Sequence, residues 1–389
     1  MTSYLFILLI LFSFLILKKS TLCNTTLQRS ILDLFALLVL IFFSANSQSN
    51  GWDWYSYKDS FEQISKIEGY RVFLGQTDVD YFYGIVLWLV GVVSDNFQIV
   101  ILVQSLTMNL LYYYGVKRFR LDFVLFAIVF FSTSFLRLEL STFRQGMAVA
   151  FYFYSLSLVY SEPTKKLKPV FFTSVACLFH MSALVGFLIM PFLNRDALLR
   201  KKQLVLIALA PVFLKISLSL NLFSNALLIV KPFVGDFVYF RLRHYSEEWS
   251  INSPSLLIYL ILIQALFFIF FCGKQRDKLH TITSWFVVFN LVLTFYLAFI
   301  PAIIITRLSY YVSFSLFFVI SVYFKVKRVT INKLFLLLFF TTFQLFIVFR
   351  DPLERVVYFP YRGYIESTFF GTSEELRSRD LIESTANRY

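Results

Sequence analysis

Apolar residues in this chain fall into twelve long runs, at 4–17, 31–44, 81–93, 97–116, 121–136, 143–160, 170–193, 203–220, 255–272, 281–300, 307–324 and 332–349. A hydrocarbon core of roughly 30 Å takes about 20 helical residues. Most of these runs therefore read as membrane-spanning helices, while the short ones must tilt, borrow flanking residues or turn back. The pattern predicts an all-α, polytopic integral membrane protein of about 10–12 transmembrane helices. It forms one membrane domain over 1–349, followed by a polar C-terminal tail at 350–389. Polar stretches at 45–80 and 221–254 are too long to be tight turns. No repeat, low-complexity tract or linker-joined soluble domain interrupts the plan.

Composition agrees: 58% of residues are hydrophobic and 50 are phenylalanine, against roughly 45–50% apolar in soluble domains. The net charge of +13 raises nucleic acid as a partner, but its distribution excludes that. Lysine and arginine sit in short clusters between apolar runs, such as Lys18-Lys19, Lys117-Arg118-Arg120 and Lys165-Lys166-Lys168. This is the pattern of loops held at a cytoplasmic face, not of a basic groove. The first run lacks a basic residue before it and has Lys18-Lys19 after it, so it reads as a retained span rather than a cleaved signal.

Placing the basic clusters at 18–30, 117–120 and 161–168 inside puts the segments 45–80 and 137–144 outside. The run 81–93 must then not cross fully, and 170–193 must be a hairpin if the cluster 194–202 is also inside. Segment 45–80, rich in Trp, Tyr and acidic residues and poor in lysine, suits an outer membrane interface.

Four features need a chemical reason. Arg137 and Arg144 interrupt a greasy segment, where an arginine at bilayer centre costs about 2.5–3.5 kcal/mol. Seven residues apart on one helix they would face the same way, about 10 Å apart. Both could snorkel to headgroups, or bind an anion; Gln145, Gly146 and Ala148 beside Arg144 allow a close helix neighbour. His180, deep in the run 170–193, is either a hydrogen-bonded core residue or a polar group lining a water-filled cavity. Arg307 opens "ITRLSYYVSF" with Tyr310 and Tyr311 at i+3 and i+4, and is either an anchor or a ligand. The aromatic "WDWYSY" could stack sugar rings or form an interfacial belt.

Three cysteines, Cys23, Cys177 and Cys272, carry neither a disulfide framework nor metal spacing. The loop carboxylates Asp53, Asp59, Glu62, Glu68, Asp78 and Asp80 likewise lack metal spacing. No P-loop, nucleophile elbow, HExxH or GxGxxG motif occurs, which leaves nucleotide-driven and hydrolase functions without support. No cofactor or metal is expected.

Taken in order, Asp53, Tyr55 and Tyr57, then "EGYRVF" (Glu68 to Phe73), "FRQGMA" with Arg144-Gln145, "CLFHMSAL" with His180, "TRLSYY" with Arg307, and "FPYRGY" (Phe359 to Tyr364) resemble the EpsG family of bacterial polysaccharide polymerases, related in role to Wzy-type O-antigen polymerases. The late motif has Arg362 where the family typically has lysine. The resemblance implies a multi-pass glycosyltransferase of the bacterial inner membrane. It would join oligosaccharide repeat units carried on undecaprenyl diphosphate at the periplasmic face.

Under it, Arg144, Arg307 and Arg137 bind the diphosphate, and His180, Asp53 or Glu68 deprotonates the acceptor hydroxyl. Gln145, Trp52, Tyr55, Tyr311, Tyr361 and Arg362 contact substrate. The bilayer and the lipid-linked oligosaccharide are the implied partners, and a chain-length regulator protein is a further candidate. Competing classes are a lipid-linked oligosaccharide flippase, which should show two internal halves and cations along a central cavity, and a membrane acyltransferase or transporter.

Overall fold

The computed structural model describes residues 2–65, 81–193, 278–296, 307–326, 330–350, 352–359 and 361–369. These residues are helical with no strand among them. The helices are α1 (Thr2–Lys19), α2 (Thr26–Ala45), α3 (Trp54–Ile64), α4 (Tyr81–Val93), α5 (Phe97–Arg118), α6 (Phe123–Thr133), α7 (Phe135–Leu140), α8 (Phe143–Ser161) and α9 (Leu167–Phe179). A 3-10 turn (Met181–Leu184) leads to α10 (Val185–Leu193), followed by α11 (Lys278–Tyr296), α12 (Ser315–Val326), α13 (Ile331–Arg350), α14 (Pro352–Tyr358) and α15 (Tyr364–Phe369). Among the described helices, α1, α2, α5 and α13 are long and apolar enough to cross a membrane. The chain is an all-helical membrane protein. The runs 203–220 and 255–272, the polar stretch 221–254 and Glu68 lie outside the described residues.

Two compact units are present. One comprises Met1–Phe187 with Lys327–Tyr389, the other Leu188–Val326. In the first, α6 is the centre. Every residue from Phe123 to Ser132 is buried, as expected for a short helix that is apolar on all sides. Helices α1, α2 and α13 pack around it and turn Phe6, Phe35, Phe42, Phe339 and Phe346 outward. Exposed apolar surface on that scale belongs against lipid tails.

Local sequence sets the helix ends. Thr25 and Gln28 form a capping box at the start of α2. Asn96 caps α5, and Asp122 caps α6 through the Val124 and Leu125 amides. Lys18-Lys19 and Lys117-Arg118 occupy the last turns of α1 and α5, where cations oppose the negative end of the helix dipole.

The basic ends meet one another. Lys18 pairs with both Asp33 and Asp122, Lys19 reaches Asp122 at 3.1 Å, and Lys117 reaches Asp33 at 2.5 Å. Next to this network Arg118 pairs with Glu162 at 2.7 Å. The two aspartates offset the charge that the positive loops gather at this end of the bundle. Lys18 and Asp33 are nearly dry, at 8% and 3% side-chain exposure, so their pairing is needed to hold either charge there.

Four expectations change. Arg137 and Arg144 do not share a helix: the chain breaks at Ser141 and Thr142, leaving Arg137 on α7 and Arg144 on α8. The run 170–193 breaks at His180, whose extended backbone (φ −160°, ψ 123°) ends α9 and starts the 3-10 turn. The run 307–324 opens with a helical turn at 307–309 and further turns to 314, and α12 starts only at Ser315. Helical i+3 and i+4 spacing thus does not relate Arg307 to Tyr310 and Tyr311. Finally, part of the segment 45–80 is the helix α3, which buries Trp54, Tyr57, Phe61 and Ile64. Those positions recur every three or four residues, the stripe of a half-buried helix.

Candidate functional site

The end of the first unit opposite the lysine–aspartate network is built from three loop segments. Residues 46–52 follow α2, Ser141 and Thr142 separate α7 from α8, and 361–364 precede α15. Gly51, at φ +111°, lies so close to α7 that a Cβ there would meet the Leu140 carbonyl oxygen at 1.9 Å. Only glycine combines that dihedral with that approach. The neighbouring Trp52 amide donates to Ser141 Oγ at 2.8 Å. Segment 45–52 and segment 137–144, both expected on the outer side, therefore occur at one end of the bundle.

The third segment is sewn to the first by backbone. The Gln48 amide donates to the Arg362 carbonyl at 3.0 Å, as does Asn50 Nδ2 at 2.8 Å, and the Tyr364 amide donates to the Asn46 carbonyl at 2.6 Å. A Cβ on Gly363 would meet Asn46 Nδ2 at 2.6 Å. Tyr361 stacks on Phe43, centroids 4.1 Å apart, and its hydroxyl donates to the Phe43 carbonyl at 2.6 Å. Residues 361–364, predicted as part of a polar tail, are thus packed structure. Tyr361 holds it there.

A buried carboxylate underlies the break. Glu139 accepts from Ser44 Oγ at 3.0 Å and from Asn109 Nδ2 at 3.2 Å, and is 1% exposed. It ties α7 to α2 and α5, with no ion-pair partner among the described residues. Above it the first turn of α8 presses on α7: a Cβ on Gly146 would meet the Leu138 carbonyl oxygen at 2.1 Å. This is the close neighbour that the small residue allows.

Arg144 is the second residue of α8. Thr142 stands at the cap position of that helix, and its side chain makes no capping hydrogen bond. A cation in a helix's first turn opposes the macrodipole by about 0.3–1 kcal/mol, a cost that a neighbouring anion offsets. Its Nε donates to the Tyr57 hydroxyl at 3.4 Å and its guanidinium lies over the Tyr57 ring, 5.7 Å from the centroid. Tyr57 in turn stacks on Phe143 at 5.0 Å and meets Tyr83 edge-on at 5.3 Å. Burial, then the Asp53 charge, push the Tyr57 hydroxyl up to about 12, against a smaller opposing pull from Arg144. The phenol therefore stays protonated at neutral pH. Asp53, half-buried at the start of α3, belongs to this charge environment.

The structure thus brings Arg144, Asp53, Trp52 and Tyr55 to one end of the bundle with Tyr361 and Arg362, and buries Gln145 in the first turn of α8. Arg137 is half-buried on α7, its carbonyl engaged by the Thr142 amide at 2.7 Å. His180 serves a local role: its Nδ1 accepts the Ser182 amide at 3.2 Å and lies 2.6 Å from Ser182 Oγ. A ring that accepts at Nδ1 carries its proton on Nε2 when neutral, so it offers a donor there. Arg307 and Tyr311 belong to the second unit, Arg307 half-buried and Tyr311 fully buried.

Sequence reasoning placed Tyr57 only within the aromatic motif, and assigned no role to Glu139, Ser141 or Gly51. Tyr57 was legible as part of the 54, 57, 61, 64 stripe, and Gly51 as a lone glycine between two polar segments. Glu139 and Ser141 had no signal, because their partners come from distant helices.

Long apolar helices with an aromatic and arginine-bearing loop cluster at one end of the bundle define a polytopic membrane protein. The chain belongs to the EpsG family, whose model matches residues 30–362. Members of this family are Wzy-like polymerases, which makes the chain a polysaccharide-polymerase-like membrane protein of polysaccharide biosynthesis. No curated protein and no solved structure is significantly similar to it.

Proposed function

We propose that the chain is the polymerase that joins oligosaccharide repeat units carried on undecaprenyl diphosphate, at the periplasmic face of a bacterial inner membrane. The observation that carries this reading is Arg144 in the first turn of α8, beside Tyr57. A diphosphate there meets both the positive end of a helix dipole and a guanidinium fork. Arginine keeps its charge in a dry cleft. As the glycosidic bond to the lipid breaks, negative charge grows on the leaving diphosphate, so a preplaced cation stabilises the transition state more than the ground state. Arg137 is assigned to the same leaving group, and Arg307, in the second unit, keeps the diphosphate role that the family resemblance implies for it.

Asp53 is the favoured base for the acceptor hydroxyl, because it shares the charge environment of Tyr57. His180 is reassigned from base to hydrogen-bond donor, given the occupied Nδ1. Glu68 keeps its proposed role as an alternative carboxylate. Trp52, Tyr55 and Arg362 remain proposed substrate contacts, while Gln145, Tyr311 and Tyr361 act through packing. A chain-length regulator is the proposed protein partner.

A deletion strain tests the reading. Polymerase loss should leave single repeat units at the cell surface and abolish the ladder of longer products, because export precedes joining. A surface bare of repeat units, with lipid-linked unit retained inside, would instead make the chain a flippase.

A further inference from the structure

Helix α3 carries two adjacent stripes. Tyr57, Phe61 and Ile64 face the core, and Tyr57 meets Arg144. Trp54, Lys58 and Glu62, each four residues apart, line a separate cleft of about 340 Å³. Its other wall is Asp95 and Asn96, from the loop before α5, with Tyr364 from the start of α15. The volume lies at the small end of the roughly 300–1,000 Å³ typical of ligand pockets.

The chemistry of this lining is specific in kind. Lys58 and Glu62 pair loosely, at 3.6 Å with 38% and 50% side-chain exposure, an arrangement worth little that a ligand can displace. Asp95 is exposed and has no ion-pair partner among the described residues. Two carboxylates against one ammonium disfavour phosphate or another polyanion. The polar walls disfavour an acyl chain. Carboxylate pairs accept hydrogen bonds from neighbouring hydroxyls, and the Lys58 ammonium and Tyr364 phenol can donate back. Trp54 supplies an aromatic wall.

We infer that this cleft is a glycan subsite, binding uncharged, hydroxyl-rich sugar rings of the oligosaccharide substrate on the face of α3 next to Arg144. The identity of the glycan rests on the polymerase reading. A helix is about 10–12 Å across with its side chains, so an oligosaccharide can span from the cleft to a reducing-end diphosphate at Arg144. Helix α3 thereby separates the sugar contacts from the leaving-group contact and sets the distance between them.

The test uses the purified full chain in lipid nanodiscs. The probe is a set of short, lipid-free and phosphate-free fragments, made by partial acid hydrolysis of the polysaccharide that the host strain assembles. Wild-type protein should bind them saturably in calorimetry. Glu62→Gln combined with Asp95→Asn should weaken binding about tenfold, as expected for losing charge-assisted hydrogen bonds. Both residues are exposed, so folding should survive, and Ser56→Ala on the opposite side of α3 should bind like wild type. The same double variant should shift the polymer ladder to shorter lengths.

Equal binding by wild type and the double variant, or no saturable binding at all, overturns the subsite. A bare surface in the deletion strain would instead sink the polymerase reading alone. The two failures are thus read from different experiments.

Discussion

The Arg144 guanidinium lies over the Tyr57 ring, 5.7 Å from its centroid, with Nε 3.4 Å from the phenol oxygen. Tyr57 thus holds the cation from the side of α3 and fixes its direction. Cation–π contact is worth about 0.5–2 kcal/mol depending on desolvation. Tyr57→Phe, which keeps the ring, should lower polymer yield by roughly threefold or less, whereas Tyr57→Ala should lower it about tenfold. Arg144→Ala should abolish the ladder and Arg144→Lys should rescue it poorly, since lysine lacks the planar fork. The readout is the gel ladder at matched protein abundance. A normal ladder from Arg144→Ala would reduce the residue to an interfacial anchor.

Glu139 supports the break that separates Arg137 from Arg144. Glu139→Gln keeps one acceptor oxygen for Asn109 Nδ2 and can donate its amide to Ser44 Oγ, whose hydroxyl turns to accept, and it should change the melting temperature in detergent little. Glu139→Ala leaves those buried donors unmet, at about 1–3 kcal/mol each, and should lower it by several degrees. Equal melting of the two variants would contradict the structural role.

Gly51 and Gly146 pack against the α7 carbonyls of Leu140 and Leu138. Gly51→Ala adds an unfavourable dihedral to a clash, so we expect a loss of about 2 kcal/mol or more. A fluorescent fusion should show sharply reduced membrane accumulation. Ser56→Ala, on an exposed position, should accumulate normally.

The charged end predicts an acid limb in stability. Hydrogen bonds from Arg118 and then Lys165 hold Glu162 at about 2, below its ordinary 4.5. At Asp122, burial favours the neutral acid, but Lys18 and Lys19 outweigh it and the net shift is downward. A carboxylate depressed in the folded state adds stability above its unfolded value and loses it as pH falls toward the folded value. Melting temperature should therefore drop between about pH 4.5 and pH 2. The drop should be shallower in Glu162→Gln and Asp122→Asn, both already destabilised at neutral pH. Parallel wild-type and variant curves would show that other groups govern the acid limb.

Sidedness is tested with single cysteines in a background lacking Cys23, Cys177 and Cys272. Ser141 is buried and accepts the Trp52 amide, so the exposed Ser56 is the better reporter of its end. Ser56→Cys should react with an impermeant thiol reagent in intact cells, and Thr21→Cys, beside the lysine network, only after disruption. The reverse labelling would invert the topology.

Apolar run length by itself determined that this is a helical membrane chain, because spanning lipid demands that backbone groups bond within each helix. The spacing of Lys and Arg clusters likewise anticipated that Lys18, Lys117 and Arg118 gather at one end. Ordered short motifs sufficed for the family, since Arg144, His180 and the 359–364 stretch keep their sequence relations whatever the packing.

Tertiary structure alone decided where the apolar runs break. Hydropathy is blind to the Ser141 and His180 backbone, whose dihedrals are set by contacts with Trp52 and Ser182. It also decided that Tyr57, 87 positions before Arg144, is that residue's neighbour, and that Tyr361 is tied to Phe43 rather than left open. Such pairings depend on which helix faces meet, and a periodic pattern specifies a face without naming what it touches.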